Sequence, residues 1–274
     1  MNIKNDEKNF YITDARCFSL ADTLDCGQAF RWSEIDGVWQ AVVGGKLRRL
    51  SQSDGVITFY DCTEEDFRDF YVPYFDIERD YESIVEAVSK NKVLADATAL
   101  AGGIRILRQE PWETVCSFII SQNNNIPRIK GIIERLCENF GEKVEGGYSF
   151  PTAERIAALT VEELAPLRSG FRAKYILDAA RKFADGSISP EKIEKLSTDE
   201  ARAELMKIYG VGEKVADCAL LFGFARIDAF PKDVWIKRAM QVLFDGTLPE
   251  CAVPFAGIAQ QYIFHYARMT KLSI

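Results

Sequence analysis

The chain has 274 residues, 47% of them hydrophobic and 27% charged, with a formal net charge of −7. The single histidine, His265, argues against a Ser-His-Asp triad or a multi-histidine metal site. Seven cysteines without a Cys-x-x-Cys spacing argue against a zinc or iron–sulfur framework and for reduced thiols, so no metal or cofactor and a cytoplasmic location are expected. No apolar run approaches a membrane span, and the polar stretch Met1 to Asn9 predicts no secretory signal. The acidic balance alone favours a small-molecule enzyme or a protein-binding module.

Before residue 62 the pattern is typical of β-strands. Turn dipeptides Asp-Gly, Gly-Gly and Asp-Gly separate the aromatic and β-branched runs QAFRWSEI, VWQAVV, KLRRLSQS and VITFYD. Such runs joined by such dipeptides predict an antiparallel meander of about four strands.

After residue 62 the signals are helical. Capped or Pro-initiated starts occur at TEEDFRDFYVPYF, PWETVCSFIISQ, NIPRIKGIIERLCENF, TAERIAAL, RAKYILDAARKFADG, STDEARAELMKIYG and KDVWIKRAMQVLF. The sequence therefore predicts an α+β fold, with a small N-terminal antiparallel β-sheet domain and flanking helices at 1–100. An all-helical body of two lobes is predicted at 101–274, and its C-terminal helix can return to the first lobe.

The stretch STDEARAELMKIYGVGEKVADCALLFGF predicts a helix, a tight glycine turn and a second helix, that is, a helix-hairpin-helix motif. Free backbone N–H groups at Gly210 to Gly212, next to a helix N-terminus, form an anion site suited to a phosphate. An ordinary interhelical turn also uses glycine, so this pattern alone leaves DNA contact open.

Lys214 follows the glycine turn, and Asp233 follows it in AFPKDVWIKR as a natural N-cap of the next helix. A helix from Lys214 would span about 16 Å, and the loop at 225–232 can extend about 25 Å, so the aspartate can return to the lysine. A lysine partly desolvated by apolar neighbours is a candidate nucleophile towards a sugar or carbonyl carbon. A surface lysine and a capping aspartate would give the same pattern.

Gly-Val-Gly-x-Lys followed by Pro-x-Asp-Val resembles the helix-hairpin-helix DNA glycosylase superfamily. GVGEKVADC and SFIISQNNNIPRIKGIIERLCENFG resemble the 8-oxoguanine DNA glycosylase family of eukaryotic type, from CGQAFRW to AQQYIFHYAR. The resemblance implies a monomeric base-excision repair enzyme acting on double-stranded DNA that contains an oxidised guanine, nucleoid-associated if the source is prokaryotic. It implies that Lys214 forms a Schiff base and permits strand nicking by β-elimination. Asp233 would orient its helix and stabilise positive charge on the sugar.

A flipped purine needs two stacking surfaces and polar groups at its edges. By the same resemblance, Phe264 stacks on one face of the base, and Cys218 with Lys214 lines the other. Gln260 would meet the Watson–Crick edge. The Gly27 carbonyl would accept the N7–H that 8-oxoguanine has and guanine lacks.

Base extrusion leaves a vacated space and an orphaned partner, which proteins fill with a wedge and polar groups. The resemblance implies that Asn123 occupies the space, that Phe171 wedges beside the partner base, and that Arg128 and Arg172 donate to the orphaned cytosine.

The sequence departs from the family at two of these positions. The family usually has histidine where this chain has Trp235 and tyrosine where it has Phe171. A tryptophan can pack on a sugar or phosphate but cannot be a charged ligand, so backbone contact is expected from Gly210 and Gly212 and is in doubt at Trp235. The acidic net charge is compatible with a local basic footprint, which would comprise Arg128, Lys130, Arg172, Lys174, Lys232, Lys237 and Arg238.

Two alternatives remain open at this point. A related lysine-type glycosylase for another oxidised base would share Lys214 and Asp233 but lack the pocket of Gln260 and Phe264. A non-enzymatic helix-hairpin-helix DNA-binding module would have no use for a lysine that faces an aspartate.

Overall fold

The N-terminal part of the computed structural model, which describes residues 1–270, is a six-stranded antiparallel sheet. The strands are β1 Asn2–Asn5, β2 Phe10–Thr13, β3 Ser33–Ile35, β4 Val38–Val43, β5 Lys46–Ser53 and β6 Val56–Tyr60, in the spatial order β1-β2-β6-β5-β4-β3. Both residues of each predicted turn have positive φ, as in Asp36 (50°) and Gly37 (79°). This conformation is that of a type I′ turn, whose twist matches the flanking strands, so the predicted meander is confirmed.

The sheet differs from the sequence prediction at its two ends. Only Ser33–Ile35 of the run QAFRWSEI is a strand, and β1 and β2 were not predicted. β1 is exposed along its whole length and so lacks an apolar alternation. β2 pairs with β6 through Phe10↔Phe59 and Ile12↔Ile57, which are distant in sequence.

α-Helices are the main secondary structure in the remainder of the described chain. They are α1 Leu20–Leu24, α2 Glu64–Asp66, α3 Val72–Tyr74, α4 Tyr81–Val88, α5 Lys92–Ala101, α6 Pro111–Ser121, α7 Ile126–Phe140, α8 Ala153–Ala157, α9 Ala173–Ala184, α10 Pro190–Ile193, α11 Thr198–Leu205, α12 Glu213–Gly223, α13 Val234–Phe244 and α14 Ala256–Met269. A π-helical turn, Phe67–Tyr71, makes α2 and α3 one continuous segment. Short β-strands at Lys143–Val144 and Gly147–Tyr148 form a separate hairpin. The helical body after the sheet, and with it the α+β class, is confirmed.

Two hydrophobic cores lie side by side. The sheet packs against the segment α2–α3 around fully buried side chains such as Leu50, Phe59 and Phe75. The second core belongs to the helical body and includes Ile84 of α4 and Leu94 of α5, and α14 packs against α5. The C-terminal helix thus lies against helices that precede residue 102. The division of the chain at residue 100 stays a prediction.

Among residues 1–270, no helix is both long and apolar enough to cross a membrane.

Candidate active site

A cavity of about 200 Å³ opens where the loop after α1 meets α6, α7, α12 and α14. This volume is below the roughly 300–1,000 Å³ of sites for drug-sized ligands, so the cavity suits a smaller ligand. Six residues predicted from the sequence line it together: Gly27, Lys214, Cys218, Asp233, Gln260 and Phe264. The predicted catalytic pair and the predicted base pocket therefore occupy one place.

Lys214 stands in the first turn of α12, directly after the glycine turn. Gly210 has φ +83°, and a Cβ there would lie 2.5 Å from the Tyr175 ring, so the close passage of the hairpin over this ring requires glycine. The Lys214 ammonium lies 5.2 Å from the centroid of the Phe118 ring, within cation–π range. Lys214 is half-buried, and Phe118 and Lys214 both line the cavity.

Asp233 is the N-cap of α13, as predicted. One carboxylate oxygen accepts the backbone N–H of Ile236 at 2.7 Å. The second oxygen has no such partner in α13, and the residue lines the same cavity as Lys214. The cap therefore fixes the carboxylate and leaves one oxygen for the cavity.

Cys218 lies one helical turn beyond Lys214 and is buried. Burial raises the pKa of its thiol to about 11, although the nearby Lys214 opposes the shift. At neutral pH Cys218 is therefore an uncharged wall of the cavity and is excluded as the nucleophile.

Gly27 reaches the cavity in a loop with φ +89°, a conformation that favours glycine. The loop is fixed by the next residue, Gln28, which is buried. Its side-chain amide donates to the carbonyls of Thr23 (2.9 Å) and Arg105 (2.8 Å), and its side-chain oxygen accepts from the Leu107 amide at 2.9 Å. All three bonds are internal to the protein, so the backbone around Gly27 is held before any ligand binds.

The polar side of the cavity comes from α14. Gln260 is 5% exposed and accepts a hydrogen bond of 2.6 Å from the side chain of Gln261. Phe264, one turn later, is half-buried: it packs against the hydrophobic core and also lines the cavity. Its predicted stacking role stays a prediction.

The residues predicted for the partner strand lie around the start of α7 and the start of α9. Arg172 is buried, and its guanidinium donates to the carbonyls of Gln122, Asn123 (3.0 Å) and Ser169 (3.2 Å). Burial lowers the pKa of Arg172, and the positive charge of the neighbouring Arg128 lowers it further. Arg172 thus supports the loop that carries Asn123, which is exposed and has φ +46°. Its predicted contact with cytosine stays a prediction.

The other predicted DNA contacts are exposed. Phe171 is 50% exposed, with the Arg172 guanidinium 4.5 Å from its ring centroid, and Arg128 is exposed on α7. Trp235 is 55% exposed at the start of α13, and Gly212 is exposed at the start of α12. A Cβ at Gly212 would meet nothing within 4 Å, so this glycine leaves open space at the helix terminus.

Three residues of the site are not predicted by the sequence pattern. Phe118 and Gln28 act through partners distant in the chain, and Gln261 is visible only as the neighbour of Gln260. Residues 1–270 contain no cluster of three or more His, Cys, Asp or Glu side chains that could hold a metal ion.

Family models and solved structures match this arrangement along nearly the whole chain. Residues 10–115 match the N-terminal domain of 8-oxoguanine DNA glycosylase, and residues 116–246 match the HhH-GPD superfamily of base excision DNA repair proteins. The structure of MBOgg1 in complex with a low-affinity DNA ligand is 40% identical, with a TM-score of 0.92, over 98% of this chain and 99% of that one.

Two further relatives agree with these matches. The 8-oxoguanine glycosylase/lyase of Clostridium acetobutylicum, in complex with double-stranded DNA containing cytosine opposite 8-oxoguanine, is 34% identical with a TM-score of 0.92, over 99% of both chains. The N-glycosylase/DNA lyase of Saccharomyces cerevisiae is 33% identical over 80% of this chain, which spans 66% of the yeast protein. The chain therefore belongs to the 8-oxoguanine DNA glycosylase family, within the HhH-GPD superfamily of base excision DNA repair proteins.

Proposed function

We propose that this protein excises 8-oxoguanine paired with cytosine from double-stranded DNA and then nicks the strand at the resulting site. The observation that carries the proposal is the single cavity that unites Lys214, Asp233 and the base-binding residues. A module that only binds DNA has no need for an amine and a carboxylate in such a cavity.

Lys214 is the nucleophile. The Nζ electron pair attacks C1′ of the damaged nucleotide, and the bond from C1′ to N9 of the base breaks, with its electron pair leaving on the base; the amine gives up a proton and the departing base takes one up. The Asp233 carboxylate oxygen that does not cap α13 stabilises the positive charge that develops on the sugar. Ring opening gives a Schiff base, loss of a C2′ proton expels the 3′ phosphate, and water then releases the lysine.

The cavity walls account for base selection. Phe264 provides a stacking face, Cys218 provides an uncharged opposite wall, and Gln260 meets the Watson–Crick edge. The Gly27 carbonyl accepts N7–H of 8-oxoguanine, whereas guanine presents a lone pair at N7 that the carbonyl oxygen repels. The loop geometry set by Gln28 supports this reading role.

On the partner strand, Arg128 reaches the orphaned cytosine from an exposed position, and Phe171 wedges beside it. Asn123 enters the vacated space from a loop that Arg172 holds in place. The enzyme acts as a monomer in the cytoplasm, associated with the nucleoid if the source is prokaryotic.

Borohydride trapping tests the proposal. Duplexes with 8-oxoguanine, with an oxidised pyrimidine and with normal guanine, each opposite a fixed partner, are offered to the wild type and to Lys214→Gln. Wild-type protein is expected to form a covalent adduct on the 8-oxoguanine duplex only. Lys214→Gln should form none, and its duplex binding should stay within roughly tenfold, about 1.4 kcal/mol.

The matched control is Lys46→Gln, which removes an exposed lysine of β5 that pairs with Asp66 of α2. Its adduct yield should equal that of the wild type. Adduct formation on the oxidised pyrimidine alone would instead identify a related glycosylase. Normal release of 8-oxoguanine by Lys214→Gln would contradict the assignment of the nucleophile.

A further inference from the structure

Gln261 carries an orphaned polar atom at the cavity. The residue is 6% exposed and lines the cavity next to Gln260. Its side-chain amide nitrogen donates to the Gln260 side-chain oxygen at 2.6 Å, and its own side-chain oxygen has no hydrogen-bond partner. A buried acceptor without a partner destabilises a fold, so such an atom at a binding cavity indicates a ligand that supplies the missing donor.

The glutamine pair, Gln260 and Gln261, presents a defined set of groups. Because one hydrogen bond links the two amides, one acceptor is consumed on Gln260, and its NH₂ group remains for the cavity. Gln261 contributes its free side-chain oxygen. If the oxygen and nitrogen of both amides were exchanged, the pair would still present one acceptor and one NH₂ group side by side.

This set complements the Watson–Crick edge of a guanine-type base. That edge carries the acceptor O6 beside the donors N1–H and N2–H₂. An adenine-type edge carries a donor at N6 and an acceptor at N1, and so places its N1 lone pair against the Gln261 oxygen. A single glutamine amide can pair with two neighbouring groups of this edge, whereas the linked pair offers partners for all three, O6, N1–H and N2–H₂.

We propose that Gln261 is a second base-contacting residue, which accepts a hydrogen bond from N1–H or N2–H₂ of the flipped base and fixes the orientation of the Gln260 amide towards O6. The proposal rests on the proposed function and extends it, because it assigns the discrimination between guanine-type and adenine-type edges to the glutamine pair.

The test measures, on the full-length protein, the ratio of the excision rates on two duplexes. Single-turnover excision is followed on duplexes carrying 8-oxoguanine or 8-oxoadenine, each opposite cytosine, for the wild type, Gln261→Met and Gln261→Ala. Methionine keeps the volume and removes the amide. The wild type should favour 8-oxoguanine, and both variants should lose roughly tenfold or more on 8-oxoguanine while their rate on 8-oxoadenine stays within about twofold.

Thermal unfolding supplies a second readout. Gln261→Met removes the orphaned acceptor but also removes the donor to the Gln260 oxygen, so the two effects on stability oppose each other and its Tm should stay within roughly 4 °C of the wild type. A loss of 8-oxoguanine excision at a nearly unchanged Tm separates base contact from support of the fold. The matched control is Tyr262→Phe, which removes the orphaned hydroxyl of the adjacent, fully buried residue outside the cavity lining. Tyr262→Phe should leave the excision ratio unchanged.

Two results would overturn the proposal: an excision ratio in Gln261→Met equal to that of the wild type, or equal wild-type rates on the two bases. Failure of the wild type to excise 8-oxoguanine opposite cytosine would contradict the proposed function instead, and the two failures are thus distinguishable.

Discussion

Replacing Arg172 should damage the fold as well as partner-base selection, and replacing Arg128 should damage only the selection. Arg172 is 3% exposed and donates to three backbone carbonyls, and its guanidinium stacks on Phe171. Arg128 is exposed and makes no side-chain hydrogen bond in the described chain. The two variants Arg172→Ala and Arg128→Ala therefore separate support of the loop from contact with DNA.

The magnitude follows from the bonds lost. Three carbonyls lose a charged donor at about 1 kcal/mol each after partial rehydration, and the lost stacking adds roughly 0.5–1 kcal/mol. Arg172→Ala should therefore lower the free energy of unfolding by about 3.5–4 kcal/mol, or the Tm by roughly 7–16 °C. Arg128→Ala should stay within about 0.5 kcal/mol of the wild type.

Urea denaturation measures the free energy of unfolding of each variant. The preference for the partner base is measured by single-turnover excision from four duplexes that differ only in the base opposite 8-oxoguanine. Both variants should relax the preference for cytosine by roughly 5- to 150-fold, the equivalent of 1–3 kcal/mol for a good contact. Equal stability of the two variants would refute the supporting role of Arg172. Equal wild-type rates on all four duplexes would refute the arginine contacts with cytosine.

Three further predictions concern single residues. Asp233→Asn keeps some capping of α13 and loses the negative charge, so excision should fall by roughly 100-fold or more with binding little changed; unchanged turnover would reduce Asp233 to a cap. Phe264→Ala should weaken binding of lesion DNA by about 1–3 kcal/mol and lower stability by less than the roughly 3–5 kcal/mol of a core phenylalanine, because Phe264 is only half-buried; melting curves and binding titrations separate the two. Burial raises the pKa of Glu113 from 4.5 to about 7 despite the nearby Arg31, so this group stabilises the fold below about pH 4.5 and the contribution is lost as the pH rises through 7. Glu113→Gln should therefore be about 1–3 kcal/mol more stable than the wild type at pH 8 and less so at pH 5, and identical pH profiles would contradict this.

The parts of the structure that the sequence predicts are those that local chemistry decides. Asp36-Gly37 and the other dipeptides adopt left-handed conformations that few residues tolerate, so the hairpins are readable from the chain. Asp233 caps α13 through the amide of Ile236, only three residues away. The placement of Lys214 follows from the glycine turn that precedes it.

The parts that the sequence pattern misses depend on contacts between distant residues. β2 is a strand because Ile12 packs opposite Ile57, and an isolated stretch of four residues cannot indicate that pairing. The sequence pattern around Arg172 is typical of an arginine in a surface loop. In the structure Arg172 is buried and donates to the backbone carbonyls of Gln122 and Asn123. The orphaned oxygen of Gln261 is likewise visible only once the cavity is formed.

The hydrogen bonds of Gln28 bear on how accurately the enzyme distinguishes 8-oxoguanine from guanine. It joins the loop of Gly27 to the backbone at Arg105 and Leu107, so the position of the proposed lesion-reading carbonyl is set by interior bonds and cannot adapt to the base that arrives. Undamaged guanine outnumbers the lesion enormously in any genome and differs at this carbonyl by a single hydrogen atom. A flexible loop would withdraw from the guanine lone pair and admit the normal base. With the proposed role of Gly27, the rigidity that Gln28 confers would protect intact DNA from excision, and we expect loosening of this residue to raise the rate of false excision more than it lowers the rate of repair.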